Sequence, residues 1–252
     1  MREAAYGLAL ALQFLTRLPL PLACPWNATT RRWAVRSYPL VGMLLGGLLA
    51  IAGALLDGIL PAPLLALTLL TLWVALSGGL HLDGLMDVAD ALGSNAPLEK
   101  RWAIMKDPHV GSFGILALAF LLLWKAALLF ALLEAGASLA LLVVIPSLGR
   151  LAAVALLVLS PAAHSEGMAA SWKRDLVPLD LALAALPLLP LAVLVSGGWW
   201  LCLALVPFLA LYAWGMVHAF KGINGDIVGT VIEGGELWLL LVAWSWWSFV
   251  TA

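Results

Sequence analysis

Apolar runs long enough to cross a bilayer recur along nearly the whole of this 252-residue chain. A bilayer's hydrocarbon core is ~30 Å thick and asks for roughly 20 residues of helix. Runs of that kind lie at about residues 38–60, 62–80, 111–133, 137–160, 179–196, 198–218 and 231–250. With 64% hydrophobic and 11% charged residues, little polar surface remains for a soluble domain. In lipid every backbone polar group must be satisfied within the protein, which favours helices over open strands. The expected fold is therefore all-α: a polytopic integral membrane helical bundle of about seven transmembrane helices, one membrane-embedded domain over 1–252, with the lipid bilayer as its partner. Short punctuators separate the runs, among them LPAP at 60–63, EAGA at 134–137 and SGG at 196–198. Gly42, Gly46 and Gly47 fit close helix packing of the small-xxx-small type.

The N-terminal stretch MREAAYGLALALQFLTRLPLPLAC has one Arg before an apolar run, as a signal peptide would. Arg17, Pro19, Pro21 and Pro25 stand where a small-residue cleavage site belongs, so it reads as mature chain forming an interfacial or re-entrant helix. Cys24 and Cys202 are too few for a disulfide framework and are expected on opposite faces of the membrane.

Basic residues set the orientation. Arg2, Arg17, Arg31, Arg32 and Arg36 precede the first span. Lys100, Arg101 and Lys106 lie between the second and third, Lys173 and Arg174 follow the fourth, and Lys221 precedes the seventh. The alternate loops hold none, so the positive-inside rule assigns the loops at about 93–110 and 161–178 to the cytoplasm. The loops at about 57–62 and 134–137 and the C-terminus are then outside. Trp199, Trp200, Trp244, Trp246 and Trp247 fall at that outer interface, where indole rings anchor helices. Lys125 and Arg150 are the two basic residues left within spans.

Against this background the segment HLDGLMDVADAL, residues 81–92, stands out for its aspartates. Asp83, Asp87 and Asp90 are spaced four and three apart, which on a helix places them on one face. Like charges stacked in that way repel, and nothing in the segment neutralises them. Hard divalent cations such as Mg2+ take oxygen ligands, commonly one or two carboxylates with waters and substrate phosphates. A solvated helix face, or partners of the helix N-terminus, is the alternative reading. A second acidic group follows in GINGDIVGTVIEGGEL, where Asp226 and Glu233 are seven apart and Glu236 lies one turn beyond. Both groups map to span ends on the basic side, so one metal–phosphate centre between them is compatible with the topology. An ordinary glutamate pair at a span end is the rival.

Between the two groups, RWAIMKDPHVGSFGIL places Lys106 and Asp107 ahead of a proline, with Gly111 and Gly114 flanking Ser112. A lysine and exposed backbone amides there suit a bound phosphate, as they also suit a plain loop. Arg150 is costly inside a membrane and is expected to face a polar interior, for a phosphate or for a structural carboxylate. His81 adjoins the aspartate face, where it either orients an aspartate and shuttles a proton or simply packs. His109, His164 and His218 read as loop or interface residues, and the four scattered histidines make no zinc motif.

Several blocks together resemble the cobalamin synthase family, the adenosylcobinamide-GDP ribazoletransferases. They are FLTRLPLP at 14–21, YPLVGMLLG at 38–46, GGLHLDGLMDVADALG at 78–93, IMKDPHVGSFG at 104–114, SLGRLAA at 147–153 and NGDIVGTVIEGGEL at 224–237. The resemblance runs end to end in the right order. It implies a Mg2+-dependent enzyme of the bacterial inner membrane, with its active site facing the cytoplasm. That enzyme joins adenosylcobinamide-GDP to α-ribazole 5′-phosphate, releasing GMP. By the same resemblance Asp83, Asp87, Asp90 and His81 are candidate catalytic residues, and Asp83, Asp87, Asp90, Asp226 and Glu233 candidate metal ligands. Lys106, Asp107, Arg150 and Ser112 are candidates for holding substrate phosphate. A homo-oligomer or a complex with other cobalamin-assembly enzymes is compatible with it, and no nucleic-acid partner is expected. His109 stands where many members carry a basic residue.

Two other functions fit part of the pattern. A CDP-alcohol phosphotransferase also gathers aspartates around divalent metal, but its signature of two aspartates before Asp-Gly, with Ala-Arg soon after, is absent here. A cation-coupled transporter would show repeated halves and midplane ligands, and this chain shows neither.

Overall fold

The computed structural model describes residues 2–250. Apart from one 3₁₀ turn and an isolated bridge between Ala162 and Ile223, its regular structure is entirely α-helical. Helices α1 (Arg2–Leu15) and α2 (Ala28–Arg36) precede the first span, α3 (Tyr38–Leu56). Then come α4 (Ala62–Ser77), α5 (Leu80–Gly93), the short α6 (Leu98–Ile104), α7 (Ser112–Glu134) and α8 (Leu141–Leu159). The chain closes with α9 (Met168–Lys173), α10 (Pro178–Ala185), α11 (Leu189–Leu194), α12 (Gly198–Phe220) and α13 (Gly225–Val250).

The expected fold class holds, but the span count falls. Five helices, α3, α7, α8, α12 and α13, are long and apolar enough to cross a membrane, or six spans if α4 and α5 together make one. Two expected spans are interrupted for identifiable reasons. Gly78 and Gly79 follow α4 with φ of 72° and 69°, a left-handed pair that glycine adopts without steric cost, and the chain turns 90° into α5. The stretch expected at 179–196 contains Pro187 and Pro190, which supply no backbone N–H, and it breaks into α10, a 3₁₀ turn at Leu186–Leu188 and α11.

Helix α8 is the axis of the bundle, with 83% of its spanning window buried against 11% for the lipid-facing α12. It packs on α3 through glycines. A β-carbon on Gly42 would lie 2.6 Å from the Pro146 carbonyl oxygen, and Gly46 meets the Leu142 and Val143 backbone, whereas Gly47 faces open space and takes no part. Close approach of this kind replaces the hydrophobic drive that lipid removes.

Contacts sort the loops into two ends. At one end the Trp247 Nε1 donates to the Ala135 carbonyl at 3.0 Å, and Trp199 and Trp200 pack on Trp246. This is the tryptophan-rich end expected from sequence. At the other end Arg31 pairs with Asp175, while Arg32 and Arg36 hold the fully buried Asp180 at 3.2 and 2.6 Å. There Lys173 Nζ donates to the Leu157 carbonyl at 3.0 Å, satisfying the negative end of α8. Arg101 donates to the Ala219 carbonyl at 3.1 Å, tying α6 to the end of α12. The basic loops thus share the end at which α5 and the start of α13 lie.

Candidate active site at the junction of α5 and α13

Helices α5 and α13 run antiparallel in backbone contact. A β-carbon on Gly84 would lie 2.8 Å from the Asp226 Cα, and one on Gly229 would lie 3.3 Å from the His81 Cα. Each helix therefore presents a glycine where the other needs room. The consequence is chemical: Asp226, in the first turn of α13, sits across Gly84 from Asp83 and Asp87. Asp87 lies within electrostatic reach of Asp226, Asp83 and Asp90, and Asp226 within reach of Asp83. Among the described residues no lysine or arginine forms an ion pair with Asp83, Asp87 or Asp226.

Neighbouring groups fix two of these acids, a side-chain amide Asp226 and backbone amides Asp90. Asn224 caps α13, its Oδ1 accepting from the Ile227 N–H at 2.9 Å while its Nδ2 donates to Asp226 Oδ2 at 2.7 Å. Asp90 accepts from the Gly111 and Gly114 N–H groups at 2.7 and 2.9 Å, so it docks the start of α7 onto α5. Both glycines are required, because a β-carbon at Gly114 would lie 2.5 Å from Asp90 Oδ2 and one at Gly111 would meet Asp90 as well.

Beside this junction opens a cleft of about 500 Å³, lined by Lys106, His164, Glu166, Asn224 and Asp226 together with the 167–170 segment. Its far wall is the loop after α8, held by the bridge between Ala162 and Ile223 and by the His164 ring packed edge-on to Trp102. Lys106 thus reaches the same cavity as Asp226, as a phosphate-binding role requires. Asp107 and Ser112 are exposed and do not line it. The Asp107 carboxyl is held below its ordinary range by hydrogen bonds from the His109 backbone N–H, at 3.0 Å, and the His109 ring, at 2.7 Å.

Deeper in the bundle lies a second polar group that sequence reasoning only half anticipated. Lys125 Nζ donates to Glu233 Oε2 at 2.5 Å and to Glu236 Oε2 at 2.6 Å, and Arg150 pairs with Glu236 Oε1. All four side chains are buried, with Arg150 and Glu236 at 0% exposure. His81 borders the group, its Nδ1 3.9 Å from Glu233 Oε1. The phosphate role expected for Arg150 and the metal role expected for Glu233 therefore find no support in geometry: each is enclosed and paired with an opposite charge. The structural carboxylate weighed for Arg150 is Glu236. Lys125 and Glu236 were visible in the sequence but were given no site role there. The signal for them was the presence of a lone lysine and a lone arginine in otherwise apolar spans, since such charges need partners. The His164–Ala170 wall carried no sequence signal, because it reaches the site through loop closure alone, whereas Asn224 opens the 224–237 block and caps α13.

Comparisons with known proteins concern the chain as a whole. The profile of the family described as cobalamin-5-phosphate synthase matches residues 7–244. Three proteins named adenosylcobinamide-GDP ribazoletransferase align over nearly their whole length. The one from Halalkalibacterium halodurans is 37% identical, covering 100% of both chains. That from Geobacillus thermodenitrificans is 42% identical over 97% of each, and that from Pseudomonas paraeruginosa 41% over 96% of this chain and 98% of the relative. The chain belongs to the cobalamin-5-phosphate synthase family. No solved structure matches it.

In this cobalamin-5-phosphate synthase family member the donor set at the α5–α13 junction can be tested against Mg2+. Asp83, Asp87 and Asp226 offer carboxylate oxygens only, the ligand type a hard cation selects. Among the described residues no three such side chains converge closely enough to enclose an ion by themselves. Mg2+ normally keeps waters and substrate phosphate oxygens beside one or two carboxylates, so this partial donor set fits an ion that arrives with a diphosphate.

Proposed function

We propose that the protein joins the phosphorylated cobinamide of adenosylcobinamide-GDP to α-ribazole 5′-phosphate, releasing GMP and forming adenosylcobalamin 5′-phosphate. The observation that carries this reading concerns two of the family-like blocks, HLDGLMD and NGDIVG. They are the pair whose backbones meet around Asp83, Asp87 and Asp226. In the reaction a ribose hydroxyl attacks the cobinamide-linked phosphorus. A new P–O bond forms, the bond to the GMP phosphate breaks, and the hydroxyl proton passes to a carboxylate of the aspartate face. Lys106, lining the same cleft, offsets charge on the departing phosphate. Asp83, Asp87 and Asp226 would hold Mg2+, which when bound neutralises the diphosphate and orients it for in-line displacement. Asp90 keeps α7 docked and so holds the aspartate helix in place.

The site shares its end of the bundle with the basic loops, which supports a cytoplasmic orientation in a bacterial inner membrane. The test is to incubate protein in liposomes with both substrates and a series of Mg2+ concentrations, measuring GMP. The reading requires GMP release that depends on both substrates and is abolished by chelation. GMP formed without the ribazole acceptor would identify a hydrolase instead.

A further inference from the structure

The buried cluster of Lys125, Glu233, Glu236 and Arg150 is set apart from the cleft, and nothing in the proposed chemistry uses it. As a device for stability it is a poor choice. Removing two charges from water costs several kcal/mol per ion, and well-packed apolar residues of similar volume commonly serve as well or better. What charged partners provide is a single register. Leucine against leucine tolerates many depths and rotations, whereas a carboxylate held between an ammonium and a guanidinium tolerates one.

The placement of the cluster shows which register matters. Glu233 and Glu236 lie on α13 two and three turns beyond Asp226, and their cationic partners lie on α7 and α8. Glu236 has one oxygen on each partner helix, so it locks α13 to both. At the site end α13 has no slack against α5, because Asp226 meets Gly84 backbone to backbone. α7 is tied to the same aspartate helix through Asp90. A rotation of α13 by one residue turns Asp226 by about 100°, and an axial slip of 1 Å exceeds the few tenths of an ångström that Mg2+ coordination allows.

We propose that Lys125, Glu233, Glu236 and Arg150 are positioning residues for the reaction centre, fixing the depth and rotation of α13 so that Asp226 stays opposed to Asp83 and Asp87. Misplacement by about 1 Å from a site remote from the chemistry can cost ~100-fold in rate. The proposal rests on the functional reading above. Wild-type GMP release in the same assay tests that reading separately, and failure there leaves the metal-binding arm below still informative.

The discriminating variant is the charge-neutral pair Lys125→Met with Glu233→Gln, which leaves Arg150 and Glu236 matched one to one. In purified protein three quantities are read: the thermal unfolding midpoint, the kcat and donor KM for GMP release, and the rise in unfolding midpoint on Mg2+ addition in the presence of GDP, which supplies a diphosphate without turnover. The expected pattern is an unfolding midpoint within a few degrees of wild type, kcat reduced about tenfold or more with donor KM changed less than about twofold, and a Mg2+ response shifted to higher concentration. A folded variant with wild-type kcat and Mg2+ response overturns the proposal and leaves the cluster a packing feature. If the pair fails to fold, Arg150→Lys decides. It keeps the charge but is shorter and loses the Nη1 that bonds both Glu236 and the Pro146 carbonyl. A reduced kcat with unchanged KM supports positioning, and full activity overturns it.

Discussion

Gly84 has no side chain, yet the proposed site depends on it most sharply. A methyl group there would lie 2.8 Å from the Asp226 Cα and 2.9 Å from its carbonyl oxygen, and neither backbone can yield without moving a helix. Gly84→Ala is therefore expected to lower GMP release by roughly 100-fold, on the scale of a 1 Å misplacement, although every carboxylate remains. Activity within twofold of wild type would show that α5 and α13 are not held as described. The acids themselves make a different prediction. Among the described residues the Asp87 side chain makes no hydrogen bond, so Asp87→Ala removes a charge from the aspartate face while the protein should insert and unfold as wild type does and transfer falls by several orders of magnitude. Comparable turnover in that variant would remove Asp87 from the site. The spacing of these aspartates was legible in the sequence because helical periodicity alone puts residues four and three apart on one face. The diversion of Asp90 to the amides of Gly111 and Gly114 was not, because it depends on where the α7 start docks.

At the scale of elements, composition revealed apolar length well and continuity poorly. Pro187 and Pro190 sit inside an apolar run that reads as one span, and the paired left-handed glycines after α4 turn another through 90°. Hydropathy windows average over both breaks. The buried ion pairs were illegible for a related reason. Sequence shows that Lys125 and Arg150 need partners, but not that Glu233 and Glu236, on a helix about 80–110 residues away, will supply them. The amphipathic start of the chain behaves similarly. Arg31, Arg32 and Arg36 served the orientation argument as undifferentiated positive charge, and in the fold they grip Asp175 and Asp180. Asp180 is fully buried, and removing Arg36 leaves it with the longer contact to Arg32. Asp180 also keeps the Val177 N–H, so Arg36→Ala should destabilise the protein by about 1.5–3 kcal/mol, the scale of one hydrogen bond to a charged group. A thermal unfolding midpoint unchanged from wild type would mean that α2 does not hold α10 through this contact.

For the whole molecule, the two ends of the bundle carry opposite assignments. Ala135 and the Trp247 ring meet at the tryptophan-rich end, and the loops holding Lys100, Arg101, Lys173 and Lys221 lie at the other. A cysteine at residue 135 should therefore react with an impermeant thiol reagent from outside intact cells, and one at residue 95 should not. The opposite result would invert the orientation and with it the cytoplasmic placement of the site. The proposal of a Mg2+-dependent centre for phosphoryl-type transfer joins two distant blocks, one on α5 and one on α13. Asp226 is the residue at which they meet. The most direct measurement is Mg2+ titration of GMP release by Asp226→Ala protein in liposomes, alongside its unfolding midpoint. The expected result is a folded protein whose maximal rate falls by about 100-fold or more, since a lost metal ligand removes several kcal/mol of transition-state stabilisation. A folded Asp226→Ala protein with the wild-type rate and the wild-type Mg2+ requirement would contradict it.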